Sequence, residues 1–451
     1  MNTIDTELLI IGGGSAGFGA AYRALRGGIG TVLAERHTLL GGTSTVGGVN
    51  VWEPGVSGRG VHYKLAARLM ESGDGFVGKT TEFASADHPY ALSDRCGDDY
   101  ESTLHRFGVS PEEQRRFHFE PAAMDREMRR LLDEVGCGRL TLLTDSKFVS
   151  LENEADRITS VKICTPRGKV CIRPGLVIDC TGNIDVARAA GCGHDIGVNS
   201  IGEYGEAIAP AERSTALNGI TQCFRVERGQ SATAAPDYSD IDLSDWYRML
   251  ERRQVVSCFN VYPRGGIGVN MLPTIDGEGL LKIPYPRLKR ICEARVYAYW
   301  QWIADNFGFA DWHISGLSPL LGIRESFRLR GKYVLKFEDL KNGFAPSPGK
   351  SHTVAFADHP ADTHGAGGGL RPTGVYGIPY ECMLPLESSN LLVACRGASF
   401  SHIAASSARL SRTMLALGEA AGAAASYCLR TGTDPREVPE CMISSFLPDD
   451  T

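Results

Sequence analysis

The chain of 451 residues is short of several things, and each shortage removes a class of function. It has no excess of basic residues: 47 Lys and Arg stand against 53 Asp and Glu, a net charge of -6, which argues against a nucleic-acid partner. No apolar run approaches the ~20 residues needed to span a bilayer. The start, Met1-Asn2-Thr3-Ile4-Asp5-Thr6-Glu7, lacks the basic stretch of a secretion signal, so a cytoplasmic location is expected. Its 13 cysteines include no C-x-x-C; the closest pairs are Cys164/Cys171 and Cys171/Cys180. That spacing suits neither zinc nor an iron–sulfur cluster, so no metal site is expected, and an odd count without a signal argues for reduced, mostly buried thiols. There is also no internal repeat. Charged residues at 22% and hydrophobic ones at 43% are ordinary globular values.

What is abundant is glycine, 53 residues, gathered in clusters where tight turns or close backbone–ligand approach are needed. The first cluster is the most informative. The apolar run 6–11 reads as a buried strand. Gly12-Gly13-Gly14-Ser15-Ala16-Gly17 follows, then a helix over 16–26 stopped by Gly27 and Gly28, then a second strand over 30–35 ending in Glu35. Gly12, Gly14 and Gly17 make G-x-G-x-x-G in a complete βαβ context, the fingerprint of dinucleotide binding. Gly12 permits the turn, Gly14 the approach of a pyrophosphate, and Gly17 the packing of helix on sheet. The helix start, Ser15 and Ala16, offers free N–H groups to phosphate, and Glu35 is suited to a ribose diol.

A second glycine-rich loop follows at once: Arg36-His37-Thr38-Leu39-Leu40-Gly41-Gly42-Thr43-Ser44-Thr45-Val46-Gly47-Gly48. FAD is longer than NAD and needs more backbone approach on its flavin side. The pattern E-R-x-x-x-L-G-G-T-x-T-x-G-G resembles that of the FAD-dependent oxidoreductases related to fumarate reductase and succinate dehydrogenase flavoproteins. Three further segments resemble the same family: Asp179-Cys180-Thr181-Gly182-Asn183-Ile184-Asp185-Val186-Ala187, then Gly322-Ile323-Arg324-Glu325-Ser326-Phe327-Arg328-Leu329-Arg330-Gly331, and finally Asn390–Arg396 with the helix around 416–422. The chain departs from the family pattern at Cys180, Asn183 and Cys395, where Ala, Asp and Gly are usual.

The resemblance implies a glutathione-reductase-like, Rossmann-type α/β fold whose FAD-binding domain is discontinuous: 1–55, 121–195 and 363–451. A helical insertion at 56–120 would form part of a cap, and 196–362 an inserted mixed α+β substrate domain. It implies cofactor contacts from Arg36, Gly41, Gly42, Thr43, Ser44, Gly47, Phe148, Thr181, Gly182, Asp185 and Arg396. Backbone N–H groups near Thr413 and Met414, at the start of a helix expected over 408–428, would face the flavin O2 edge. No histidine lies between Gly41 and Gly48, so FAD is expected to be noncovalent.

The chemistry implied is two-electron oxidation or reduction of a small polar metabolite at the flavin N5. Candidate groups are Arg324 (read as a buried pair with Glu325), His364 beside Asp362, His402 after a strand end, and Arg409 with Arg412 three residues along one helical face. The run Gly365–Gly369 could form a lid, and Trp300, Trp302 and Trp312 suit core packing better than a pocket wall. No second G-x-G-x-x-G sits in a βαβ unit, so the electron partner is left open among oxygen, a quinone, a carrier protein and NAD(P)H. A homodimer is a base-rate expectation. A flavin monooxygenase or halogenase-like enzyme, and a non-enzymatic FAD-binding redox sensor, are the alternatives.

Overall fold

The computed structural model describes residues 2–85, 87–104, 110, 113–229, 236–342, 352–363, 370–371 and 373–449. Two large sheets dominate. The first, the nucleotide sheet, is built around Asn2–Ile11, which pairs in parallel with Thr31–Ala34 on one side and Gly168–Asp179 on the other. Leu140–Leu143 extends it beyond Thr31–Ala34, also in parallel. Gly168–Asp179 is a single long strand of 12 residues. Its first half pairs antiparallel with Arg157–Thr165, while Val177–Asp179 pairs in parallel with Leu391–Val393. The returning strand thus closes the sheet 212 positions after Asp179 ends, as a discontinuous domain requires.

Leu8 and Ile10 point into one apolar cluster and Leu9 and Ile11 into another, so this strand is covered on both faces. On the first face lie the helix Ser15–Arg26 and the long C-terminal helix Ser411–Thr431. They touch backbone to backbone: a β-carbon at Gly418 would stand 2.0 Å from the Ala16 carbonyl oxygen, and one at Gly422 2.3 Å from that of Ala20. This crossing explains the Ala and Gly content of the C-terminal helix, and it fixes where that helix begins relative to the first glycine loop.

The second sheet, the cap sheet, has eight strands, in the order Trp312–Leu317, Phe224–Arg228, Ile267–Leu272, Val256–Val261, Tyr90–Arg95, Gly75–Glu82, Arg115–Phe119 and Val51–Trp52. Four of these come from the first 120 residues. The expectation of a helical insertion at 56–120 is therefore corrected: among its described residues the helix Val61–Glu71 is followed by three strands and a short 3-10 turn, Glu101–Thr103. Its strands are stabilised by a distant partner, Tyr90–Arg95 running parallel to Val256–Val261.

One face of the cap sheet is apolar. Tyr90, Phe224, Val226, Phe259 and Val269 pack there with Trp246, Tyr299 and Trp300 of the helices Ser244–Glu251 and Tyr285–Asn306. Trp302 and Trp312 join the same cluster, so these tryptophans serve packing. The opposite face carries Cys223, which lies against Gly48 of the second glycine loop. None of the described helices is long and apolar enough to cross a membrane.

Candidate functional site: a glycine cradle under the cap

The strand ending at Ile11 passes directly into the turn that begins the helix Ser15–Arg26. Gly12 takes φ +99°, a region that L side chains rarely adopt, and a β-carbon there would lie 2.5 Å from the Cys180 carbonyl oxygen. A β-carbon at Gly17 would stand 1.7 Å from the Gly12 oxygen. Gly14 is different. Its backbone is ordinary (φ -68°), and a β-carbon would meet nothing closer than the Gly42 α-carbon at 4.0 Å. Two glycines of the motif are demanded by the protein itself; the third guards open space. Gly14 is also the N-cap of the helix and has no side chain to satisfy the helix's first N–H groups, among them those of Ser15 and Ala16.

The second glycine loop lies against the first. Gly41 donates to the Gly13 carbonyl at 2.8 Å, and Gly14 and Gly41 form an isolated parallel bridge. A short 3-10 turn, Gly42–Ser44, follows. Gly47 presses on Thr43, and Thr43 accepts from Val49 N at 3.0 Å. Buried Ser44 accepts from Trp52 Nε1 at 2.9 Å and lies 3.4 Å from the Ser411 hydroxyl. Loop, cap and C-terminal helix therefore meet at one serine.

Glu35 is buried at the end of its strand. One carboxylate oxygen accepts from Gly13 N at 2.6 Å and the other from His37 N at 2.8 Å. Burial holds its pKa above the usual carboxylate range. Arg36 is exposed and donates to the His37 ring. Phe148 packs at the edge of the apolar cluster on the face away from the first helix.

The second motif has an organiser that the sequence did not reveal as one. Asp179 is wholly buried and accepts four hydrogen bonds: Thr181 N and Oγ1 on one oxygen (2.9 and 2.7 Å), Val186 N and Ala187 N on the other (both 2.9 Å). Thr181 in turn accepts from Asp185 N at 2.7 Å. The Asp185 side chain is partly exposed and lies 3.7 Å from Arg188. Gly182 lets Arg396 approach, since a β-carbon there would sit 2.9 Å from Nη2.

Arg396 Nε is buried with no hydrogen-bond partner, and burial lowers the guanidinium pKa to about 10. Thr413 Oγ1 and Asn183 Oδ1 are likewise buried and unsatisfied. Thr413 and Met414 stand at the start of Ser411–Thr431, whose N-cap Leu410 provides no side-chain bond. Open space beside Gly14, a partnerless buried arginine and two uncapped helix starts suit a long dianionic dinucleotide.

Three expectations about the reactive side are corrected. The helix expected over 408–428 begins three residues later and runs as Ser411–Thr431, with Arg409 and Leu410 separating it from the short helix His402–Ala408. Arg409 and Arg412 thus do not share a helical face. Arg412 is buried in a clamp, bonded to Asp358 and to the carbonyls of Glu53 (2.9 Å) and Val56 (3.0 Å). Arg324 is not paired with Glu325: its Nη1 donates to Gly219 O (2.8 Å) and Thr221 Oγ1 (2.7 Å). Glu325 is held instead by Arg328, by His402 Nδ1 (2.8 Å) and by Asn218 N (3.1 Å). His402 is buried and held by Glu325 in a clasp that also takes in Asn199. His364 lies outside the described residues.

A histidine that motif reasoning missed is buried His359, whose Nε2 is 3.6 Å from Glu53 Oε2. Glu53 is also 3.8 Å from Arg116 and electrostatically coupled to Arg409 and to Cys258 of the cap sheet. No signal of spacing could have joined residues 306 positions apart. Among the described residues no group of His, Cys, Asp and Glu could hold a metal ion.

The comparisons agree with this architecture. No curated protein matches the sequence. The chain is similar in structure to the myxobacterial chondrochloren halogenase CndH, an FAD-dependent halogenase (13% identity, 98% of this chain and 78% of that chain, TM-score 0.50). It is also similar to a geranylgeranyl bacteriochlorophyll reductase-like protein from Thermoplasma acidophilum (13% identity, 99% and 83%, TM-score 0.49), and to the flavin-dependent brominase Bmp2 (10% identity, 98% and 83%, TM-score 0.47). At such identities the likeness concerns the fold. A family model, FAD dependent oxidoreductase, matches residues 7–446. With nearly the whole length matched, and with a cradle whose glycines and unspent donors suit FAD, the chain belongs to the FAD-dependent oxidoreductase family.

Proposed function

We propose that this enzyme carries out two-electron oxidation or reduction of a small polar metabolite, with noncovalent FAD. When bound, FAD supplies hydride acceptance or donation at N5. The observation that carries the reading is the contrast within the first motif: Gly12 and Gly17 are required by packing, whereas Gly14 faces a space that only a ligand would need kept clear. Glu35 would hold a ribose diol, because each carboxylate oxygen has accepting capacity left beyond its amide bond. Arg396 and the free amides at Ser15–Ala16 and Thr413 would balance negative charge, whereas the Met414 amide is already given to the Leu410 carbonyl at 2.9 Å. Segments 1–55, 121–195 and 363–451 would form the cofactor domain, with 196–362 and the strands of 56–120 as the cap.

Proton movement belongs to the space beneath the cap. His359, with Glu53 beside it, has the pairing of an imidazole able to take a proton and a carboxylate able to steady the resulting charge. His364 is the second candidate, on the sequence alone. The narrower kinship with fumarate reductase and succinate dehydrogenase flavoproteins rests on the four motifs.

The test is direct. Purified protein should carry one releasable flavin, and an anaerobic metabolite screen should find a compound that bleaches its band near 450 nm (about the usual position for oxidised flavin). Protein that is colourless and takes up no FAD overturns the proposal. Oxygen-dependent hydroxylation or halogenation in place of anaerobic bleaching would move it to the monooxygenase reading; flavin that no compound bleaches would move it to a sensor.

A further inference from the structure

The cap sheet's inner face contains a row of side chains that the cofactor does not account for. Cys258 pairs with Asn270, and Phe224 pairs with Val269, so Cys223 falls beside Asn270 from the other side. Directly paired residues share a face. Cys223, Asn270 and Cys258 therefore form one row opposite the apolar face of Phe224, Val269 and Phe259. The row looks toward the cofactor domain: a β-carbon at Gly48, in the second glycine loop, would stand 3.0 Å from the Cys223 β-carbon.

Arg324 approaches this row from the loop after the last cap strand, anchored through Nη1 to Thr221, two residues before Cys223. The remaining N–H groups of Arg324 form no hydrogen bond, and no carboxylate lies within ion-pair distance of it, among the described residues. The carboxylate within electrostatic reach of Arg324 is Asp362, which acts on Arg409 as well and forms no ion pair with Arg324; Glu53 is committed to Arg116 and His359, and Glu325 to Arg328 and His402. Both row thiols lie within electrostatic reach of Arg324. Burial pushes the Cys223 thiol up to about 12, so it carries no charge to balance the guanidinium. Arg324 itself is lowered to about 10 by burial and by Arg409.

A second, independent observation concerns acceptors. Asn270 Oδ1 is buried in the row with no donor facing it, and both side-chain atoms of Asn218, next to the Gly219 carbonyl that Arg324 holds, are buried without partners. Native interiors rarely leave such atoms unsatisfied unless a ligand or water meets them. A cation in want of an anion therefore stands beside an acceptor in want of a donor, over a floor of small, neutral thiols.

We propose that this face is a recognition site for a small carboxylate that also bears a hydroxyl or amino donor, the carboxylate on Arg324 and the donor on Asn270. This deepens the reading above, resting on it for the placement of the site over the cofactor. It differs from that reading by committing to an anionic substrate class.

The experiment titrates FAD-loaded protein with acetate, glycolate and acetamide. It follows the flavin absorbance difference and, in parallel, saturation-transfer NMR, which needs no colour. Glycolate is expected to bind more tightly than acetate, and acetate more tightly than acetamide. Arg324→Gln should weaken both carboxylates at least tenfold, to the level of acetamide, with flavin content unchanged. Asn270→Ala should erase the preference for glycolate over acetate and leave acetate as it was. Should Arg324→Gln fail to fold, Arg324→Lys is read in its place, with weakened acetate and unaltered acetamide expected. The proposal is overturned if acetamide binds as well as acetate, if no carboxylate binds, or if the arginine variants bind acetate like wild type. Colourless protein that still shows Arg324-dependent acetate binding by NMR would uphold the site while refuting the FAD reading.

Discussion

Gly14→Ala is the substitution that separates a fold requirement from a ligand requirement. At φ -68° the position accepts alanine without backbone strain, and the new methyl meets no protein atom closer than 4.0 Å. The free protein should therefore keep its stability or gain about 0.4–1 kcal/mol from a less flexible unfolded chain. The methyl would project into the cradle, where overpacking typically costs about 1–3 kcal/mol. At about 1.4 kcal/mol per tenfold, FAD affinity should fall by roughly 5- to 150-fold. Gly17→Ala is the contrast. Its methyl would stand 1.7 Å from the Gly12 oxygen, and only movement of helix against turn relieves that, so stability and FAD affinity should fall together. Urea unfolding of the apoprotein and FAD titration by fluorescence quenching measure the two quantities separately. A Gly14→Ala protein with wild-type FAD affinity would refute the argument that this space is kept clear for the cofactor. So would a Gly14→Ala apoprotein destabilised as much as Gly17→Ala.

Three further outcomes follow from buried polar groups. His62 is wholly buried, stacked on Trp52 and bonded to Tyr100 OH at 2.5 Å, and burial lowers its pKa to about 3 from an ordinary 6.5. The unfolded chain takes up a proton below pH ~6.5 that the folded ring refuses, so stability falls as pH drops through the window from about 6.5 to 3; between pH 7 and 5 the loss is ~2 kcal/mol from this ring. His118 and half-buried His37, each lowered to about 4 with burial as the main cause, add losses of the same sign, so His62→Phe should lessen the total by ~2 kcal/mol, as read from urea midpoints at the two pH values; an unchanged pH slope counts against the assignment. Asp179→Asn turns an amide toward backbone donors and leaves at least two of them unsatisfied, at about 1–3 kcal/mol each. Loss of ~2–5 kcal/mol in urea, with release of FAD, is expected, and a variant of native stability would show that the four bonds do not organise the motif. Glu35→Ala should purify with substoichiometric flavin; full flavin content would remove Glu35 from the ribose role.

The parts of this molecule legible in its sequence are those whose physics is local. The βαβ unit at residues 2–34 follows from apolar runs, a turn that only glycine fits at Gly12, and helix stops at Gly27 and Gly28, all within a few positions of one another. Gly75–Glu82 and Arg115–Phe119 were obscured because their alternation is interrupted by glycine and arginine, and the neighbouring strand Tyr90–Arg95 finds its other partner, Val256–Val261, more than 150 positions later. The break at Arg409–Leu410 is hidden for a related reason. Apolar residues recur smoothly from Ile403 to Leu417, but Arg412 is drawn into a clamp with Asp358, Glu53 and Val56, and the chain bends to deliver it. The same division runs through the site. Phosphate recognition uses backbone groups of one continuous segment and leaves a spacing signature. The proposed substrate site would draw Arg324, Asn270, Glu53 and His359 from four separate segments, so no spacing within any one of them could announce it.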